Sequence, residues 1–341
     1  MPGWSRRWQH VWSKRGVVAC SLLPLAALFG AVSALHRALY RVGLLHVQRV
    51  PVRVIVVGNL IAGGAGKTPT VLALVRMLKQ RGRVPAIVSR GYGGSASAPM
   101  EIAPDTAARV GGDEPVLLRR RAGVPVFVGR DRVAATRALL QAYPRTDVVV
   151  ADDGLQHHRL GRDVQVLVFD ERGVGNGWLL PAGPLREKLP ATVPPRSVVL
   201  YNADAATTPL AGWTAQRGLA GVCALDAWWL GSPPEADSLE GLRSRALIAA
   251  AGMARPDRFF AMLRTAGLVV EELPLPDHFD YAELPWDSDA ADVIVTEKDA
   301  VKLEPSRMGA TRVWVAALDF VPANGFDADV MRWLETSAGP I

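Results

Sequence analysis

The first hundred residues of this 341-residue chain contain no aspartate or glutamate; the first acidic side chain is Glu101. Over that stretch 14 lysines and arginines stand unopposed, leaving 25 basic against 33 acidic residues for the remainder. So one-signed a segment points to an anionic partner: nucleic acid, a phospholipid surface or a phosphorylated molecule. Cysteine is nearly missing too. Cys20 and Cys223 are too few for a disulfide framework, which fits a reducing compartment. With His157 and His158 adjacent and no ligand spacing, they also argue against a zinc site. There is no internal repeat and no low-complexity tract, and 49% hydrophobic residues with few aromatics describe a globular chain. The length accommodates two domains of ordinary size.

What is present concentrates at residues 52–78. VRVIVVG (52–58) is a short β-branched run of the kind buried in a parallel sheet. Val71, Leu74, Val75 and Leu78 recur at helical spacing, and Pro69 sits in the first turn, where a missing N–H costs nothing. Strand, glycine-rich loop and helix N-terminus in that order make an anion site. The pattern G-x-x-x-x-G-K-[ST], anchored on Gly66-Lys67-Thr68, wants a glycine at 61, where Ile61 stands. The expected cradle for the phosphates of ATP is therefore Ile61, Ala62, Gly63, Gly64, Ala65, Gly66, Lys67 and Thr68. Lys67 reaches the β- and γ-phosphates and Thr68 holds Mg²⁺.

Charge is absent again from residues 16–35, GVVACSLLPLAALFGAVSAL, twenty residues long enough to cross a bilayer. Trp4, Trp8 and Trp12 with Arg6, Arg7, Lys14 and Arg15 precede it as an interfacial belt and basic collar, and Arg37, Arg41 and Arg49 follow. Full crossing, or cleavage at the signal-like VSA (32–34), would separate the phosphate loop from ATP. The segment is thus expected to insert into the cytoplasmic face, bent at Pro24, without need to span; a buried core helix is the alternative. Aromatics beside a lipid-like segment disfavour nucleic acid.

Further strands are expected in VPAIVSRGYGG (84–94), which carries Arg90 and Tyr92 in its glycine turn, and in TDVVVADDGLQHHRL (146–160). Asp152-Asp153 at the end of an apolar strand fits a magnesium-binding carboxylate pair beside Thr68, because loops after parallel strands line the ligand crevice. VQVLVFD (164–170) and SVVLYNAD (197–204) continue the rhythm, and NGWLLPAGPLRE (176–187) is a connection packed over the site. The second half repeats the alternation in RALIAAAGMARPDRFFAMLRTAG, with a helix from Pro256, then LVVEELPL, ADVIVTEKDAVKL and TRVWVAALDF. A proline-rich PATVPPR (190–196) is the candidate linker. Asp113 in VGGDEPVLL reads equally well as a group orienting an acceptor hydroxyl or as a helix N-cap. His278 in PLPDHFDY is able to relay a proton. Arg186 is a candidate phosphate clamp. Lys298 faces a crevice without an assignable role.

VGNLIAGGAGKTP, RGYGG, GDEP, DDGLQH, GPLRE, AGMARPDRF, PDHF and TEKDAVK, in this order after an apolar segment, resemble the tetraacyldisaccharide 4'-kinase family over about residues 4–320. That family's loop reads G-N-x-x-x-G-G-x-G-K-T-P, so the displaced glycine is ordinary for it; Leu155 replaces a frequent aromatic. The resemblance implies an ATP-dependent lipid kinase that phosphorylates the 4'-hydroxyl of a membrane-embedded acylated glucosamine disaccharide 1-phosphate. It implies Asp113, His278 and Lys67 as catalytic residues, and Thr68, Asp152 and Asp153 around Mg²⁺. Asn59, Arg90, Tyr92, His157 and Arg186 are implied at the substrate, with no obligate protein partner. The expected fold is α/β: a P-loop NTPase-like, mainly parallel sheet flanked by helices, a smaller second α/β lobe and an N-terminal membrane-associated helix. Its expected divisions are 1–48, 49–190 and 191–341. The rival is a membrane-associated ATPase switch of the partition or division-site type. Such proteins carry a signature lysine where this chain has Ala62, and anchor through an amphipathic terminal helix. A soluble cofactor kinase leaves residues 16–35 unexplained.

Overall fold

The computed structural model describes residues 3–96 and 98–336, with side chains from residue 8 onward. Trp4, Arg6 and Arg7 of the expected belt and collar lie outside the described side chains. Among the described residues the β-branched runs become strands where the sequence predicts them. The strands are β1 (Arg53–Gly58), β2 (Pro85–Ser89), β3 (Met100–Glu101), β4 (Val126–Val128), β5 (Val148–Ala151) and β6 (Val164–Asp170). They continue with β7 (Ser197–Asn202), β8 (Trp213–Ala224), β9 (Leu247–Ala251), β10 (Val270–Pro274), β11 (Asp292–Thr296) and β12 (Arg312–Pro322). Their order in the sheet is β10-β9-β11-β12-β8-β7-β6-β1-β5-β2-β4-β3.

β1 lies between β5 and β6, parallel to both. β2, β4 and β7 extend this parallel block, and β3 closes its edge antiparallel. A second parallel block contains β9, β10, β11 and β12. β8 joins the two, parallel to β7 at Trp213 and Thr214 and antiparallel to β12 from Ala215 to Ala224. The mainly parallel α/β fold with a smaller second lobe is as expected. β8 itself, WTAQRGLAGVCA, is not predicted by its sequence, because Gly218 and Gly221 interrupt any run of strand formers. Sheet pairing runs unbroken past residue 190, since β7 pairs with β6 over six residues. The helix Phe326–Thr336 also returns to pack on β6 and β7. We therefore propose that the lobes divide along β8.

Both faces of the first block are covered, which is why its strands are apolar without alternation. Ile55 and Val57 face the helix Lys67–Gln80, whose Val71, Leu74, Val75 and Leu78 are fully buried, while Val54 and Val56 face Val133 and Leu139 of the helix Arg132–Ala142. Each such side chain contributes about 1.5–3 kcal/mol by leaving water. The helix that follows the glycine-rich loop is thus clamped to the strand that precedes it.

The apolar N-terminal segment forms two helices, Val17–Ser21 and Leu23–Arg41, broken at Leu22 with Pro24 in the first turn of the second. Leu23–Arg41 is long and apolar enough, by length and composition, to cross a membrane. It is not a core helix: Leu28 is 62% and Leu35 61% exposed. Its inner side rests on residues 174–189. There Gly30 admits Leu179, whose Cδ1 would lie 2.7 Å from a Cβ at that position, and Arg37 pairs with Glu187 at 3.0 Å. Just upstream, the Trp12 indole donates to the Pro181 carbonyl (2.9 Å) and Arg15 Nε to that of Asn176 (3.0 Å). These two members of the expected belt and collar are therefore tied to protein rather than turned to lipid, because Pro181 and Asn176 offer acceptors within their reach.

Candidate active site

All parallel strands of the first block end at one edge, and the loops there gather four polar side chains around residues 59–67. The Asn59 amide donates to the Gly63 carbonyl (2.9 Å), and Asn202, at the end of β7, donates to that of Ala65 (3.1 Å). Arg172, held by Asp170 at the end of β6, donates to Gly64 O (2.7 Å) and Ala62 O (3.4 Å). With its carbonyls held on the outside, the loop turns peptide N–H groups inward. Those of Gly63, Gly64, Ala65 and Gly66 have no acceptor among the described residues. Such a nest, continued by a helix N-terminus, accepts an anion. The Ala62 N–H is committed to Pro184 O (2.7 Å), and Ile61 is buried and bridges to Leu185. These two residues fix the loop to the 178–187 strap.

Gly66 has no room for a side chain. Its φ is +93°, and a Cβ would stand 2.2 Å from Asn202 Nδ2. Gly66→Ala is expected to push the Ala65–Lys67 peptides out of line and weaken ATP binding at least about tenfold, given a backbone cost of about 1–2 kcal/mol before the clash. Titration calorimetry with ATP measures it, and the melting temperature separates this loss from global unfolding.

Lys67, nearly buried, lies 3.4 Å from Asn59 Oδ1 and 3.5 Å from Asp153 Oδ1. Asp153 (φ +48°) also takes Arg186 at 3.3 Å, while Arg132 donates to its carbonyl. Burial alone would raise the Asp153 carboxyl, but Lys67, Arg186 and Arg132 outweigh it and hold it below the usual carboxylate range. Asp152 is more deeply buried. Its Oδ2 accepts from Ser89 (3.1 Å), and its Oδ1 has no hydrogen-bond partner. Burial, reinforced by Glu114 and Asp153, lifts this carboxyl to about 7. An unpartnered buried carboxylate oxygen is costly unless a cation meets it. The expected donors, Thr68, Asp152 and Asp153, would offer oxygen alone, the chemistry a hard divalent ion such as Mg²⁺ takes.

A second cluster forms where the helix Asp113–Ala122 meets the second lobe. Asp113 Oδ2 lies 3.0 Å from His278 Nδ1 and 3.7 Å from Lys302 Nζ. The carboxylate makes no capping bond; the cap is Gly112, pressed against the carbonyl of Tyr92. Of the two readings the sequence leaves open for Asp113, that geometry does not supply the helix cap. Tyr92, 69% exposed, stands with its ring 5.7 Å from the His278 ring. Lys298 reaches Asp277 (3.1 Å) and the far nitrogen of His278 (3.5 Å). Glu114 joins the two clusters, its charge acting on both Asp152 and Lys298.

The structure thus groups Asn59, Lys67, Asp153 and Arg186 at the loop, and Asp113, Tyr92 and His278 where the helix Asp113–Ala122 meets the second lobe. Asn59 is fully buried, so here it shapes the loop. Arg90 is exposed at the rim. His157 stands apart, its Nε2 4.0 Å from Asp131, and burial presses its imidazole down to about 4. Arg172, Asn202, Ser89 and Lys302 escaped sequence reasoning. Three of them follow or end a predicted strand at the ligand edge, the one signal that could have marked them.

A sequence profile described as "Tetraacyldisaccharide-1-P 4'-kinase" matches residues 18–335. A tetraacyldisaccharide 4'-kinase of Methylibium petroleiphilum is 54% identical over 335 residues, 97% of this chain and 92% of the relative. One of Leptothrix cholodnii is 54% identical over 96% of this chain and 95% of its own. Among solved structures, LpxK from Aquifex aeolicus in complex with ATP superposes with a TM-score of 0.77 at 26% identity, covering 93% of this chain and 100% of that one.

Proposed function

This chain belongs to the tetraacyldisaccharide-1-phosphate 4'-kinase family, and from that premise we infer that it transfers the γ-phosphoryl group of ATP to the 4'-hydroxyl of a tetraacylated glucosamine disaccharide 1-phosphate. The product is the lipid A precursor lipid IVA. The P–O bond to ADP breaks as the new bond to the 4'-oxygen forms, and the hydroxyl proton needs an acceptor. Asp113, hydrogen-bonded to His278 across the cleft, takes that proton and aligns the hydroxyl. The loop N–H groups and Lys67 stabilise charge on the transferring group, so catalysis is mainly positioning and charge neutralisation. Thr68, Asp152 and Asp153 would hold Mg²⁺, which when bound neutralises charge on the β- and γ-phosphates. Arg186, Arg90 and Tyr92 serve the substrate side, the first as a phosphate clamp, whereas Asn59 shapes the loop and His157 stands apart from it.

The observation that carries the lipid reading is a groove beneath the apolar helix. A hollow of about 500 Å³ lined by Leu23, Ala27, Trp178 and Leu189 continues, through shared Leu179 and Lys188, into a second lined by Gly30, Ala34 and Arg186. Arg186 is the residue paired with Asp153. An acyl chain under the helix therefore leads to the phosphate loop. The same helix and the acid-free first hundred residues suit the anionic cytoplasmic face of the inner membrane, where ATP is.

The test incubates the full chain with γ-labelled ATP, Mg²⁺ and the acylated disaccharide 1-phosphate in anionic vesicles. Label enters the lipid; ATP hydrolysis with unlabelled lipid would return the switch-ATPase reading. In the same assay Leu25→Glu/Leu28→Glu/Val32→Glu, on the exposed stripe, is expected to keep ATP affinity and melting temperature. It should lose vesicle co-sedimentation by at least about tenfold, since each apolar side chain contributes about 1.5–3 kcal/mol on burial. Unchanged sedimentation would remove the helix as the anchor.

A further inference from the structure

We propose that Lys302, pinned by the buried carboxylate of Asp299, is the fixed counter-cation of Asp113 and a positioning residue for phosphoryl transfer. The assignment rests on the reading of Asp113 as proton acceptor.

A lysine ammonium on a four-carbon stem is a poorly fixed charge. Here it is immobilised from three sides. Its side chain is 5% exposed, Nζ lies 3.1 Å from Asp299 Oδ1 and 3.7 Å from Asp113 Oδ2, and it stands 5.2 Å over the Tyr281 ring. Asp299 is in turn fully buried and fixed. It accepts from Thr296 Oγ1 (2.6 Å) and from the Gly252 N–H (3.1 Å), and a Cβ at residue 252 would stand 2.8 Å from its carboxylate. The turn carrying His278 is sewn to the same glycine through His278 N–H to Gly252 O (3.2 Å). Gly252, His278 and Asp299 come from three separate motifs, AGMARPDRF, PDHF and TEKDAVK. One hydrogen-bonded frame holds them around a single ammonium aimed at Asp113.

The charged and titratable groups facing Asp113 are its neighbour Glu114, His278 and Asp277 from the 276–279 turn, Lys298, Asp299 and Lys302 from residues 297–303, and Tyr92 behind His278. Burial alone would raise the Asp113 carboxyl; the His278 hydrogen bond and the charges of Lys302, His278 and Lys298 reverse the direction and hold it below the ordinary range. Lys298 occupies a different place, on the outer nitrogen of the imidazole. Nδ1, on the other side of the ring, faces Asp113. Lys302 is the one lysine in salt-bridge range of the Asp113 carboxylate among the described residues.

The experiment measures kcat and the KM for ATP of the full chain from about pH 3 to 9 for wild type, Lys302→Met, Lys302→Arg and Asp113→Asn. An opposite charge within about 4–6 Å lowers a carboxyl pKa by about 1–3 units. Removing it raises the pKa, so the acidic limb of kcat/KM for Lys302→Met moves to higher pH by about one unit or more. On that limb, where the carboxyl is now protonated, its kcat falls about tenfold, with the KM for ATP within about twofold at neutral pH, and Lys302→Arg restores the limb. A lowered kcat with an unmoved limb would make Lys302 merely structural and overturn the proposal. Full turnover in Asp113→Asn would instead overturn the reading beneath it. If Lys302→Met does not fold, Asp299→Asn/Lys302→Met removes both charges and the same limb shift is read on it; an unmoved limb there counts equally against the proposal.

Discussion

Asp113→Asn is expected to lower kcat by about 10²–10⁴-fold while ATP affinity stays within about twofold. The substitution preserves shape and removes the negative charge, and with it the ability to take a proton. The helix Asp113–Ala122 should not suffer, because its N-cap is Gly112 and no side chain caps it. His278 loses the carboxylate it hydrogen-bonds, yet its backbone remains tied to Gly252. Single-turnover kinetics with labelled ATP separate the chemical step from binding. Turnover at the wild-type rate would leave Asp113 with no role in proton transfer. A stability consequence accompanies this, with its sign fixed by linkage. A carboxyl held below its unfolded value contributes stability that is present above the unfolded pKa and lost as pH falls through the folded one. Acid unfolding of Asp113→Asn should therefore be the less pH-dependent of the two.

Lys67→Ala is expected to cost about 10²–10³-fold in kcat/KM, the scale of removing one preorganised donor from a transition state. Unlike Asp113→Asn it should weaken ATP binding as well, because the ammonium faces ground-state phosphates too. The loop itself is expected to survive. Its carbonyls are held by Asn59, Asn202 and Arg172, and Asp153 retains Arg186 at 3.3 Å. Lys67→Arg should rescue little. A guanidinium is planar and broad, whereas Lys67 is a nearly buried point charge between Asn59 and Asp153. Nucleotide affinity and steady-state rates, measured together, check both halves.

The first lobe was largely legible because its strands are buried on both faces. A run such as VRVIVVG leaves little else for the segment to be, and the glycines after it announce a backbone that must curl. The second lobe's β9, β11 and β12 were readable for the same reason. β8 was not, since a strand that serves two blocks needs neither a continuous apolar run nor a clean alternation, and its two glycines disguise it. At the site, residues that act through their own type were visible: Lys67, Asp152, Asp153. Asp113 was ambiguous, because a carboxylate at a helix start has a sufficient structural use, and its partner His278 lies 165 residues away. Arg172 and Asn202 were invisible because they act on backbone carbonyls, and nothing in a sequence says which carbonyl lacks a donor.

The helix Phe326–Thr336 packs on β6 and β7, where Trp213 donates to Asp329 (2.9 Å) and Arg81 pairs with Asp327 (2.6 Å). During synthesis a ribosome delivers the phosphate loop and its strands first, at about 5–20 residues per second. The last covering for that block emerges only after the whole second lobe has been made. The lobe that begins the chain is finished by the segment that ends the described fold. Until then β6 and β7 present uncovered apolar surface to water or to a chaperone.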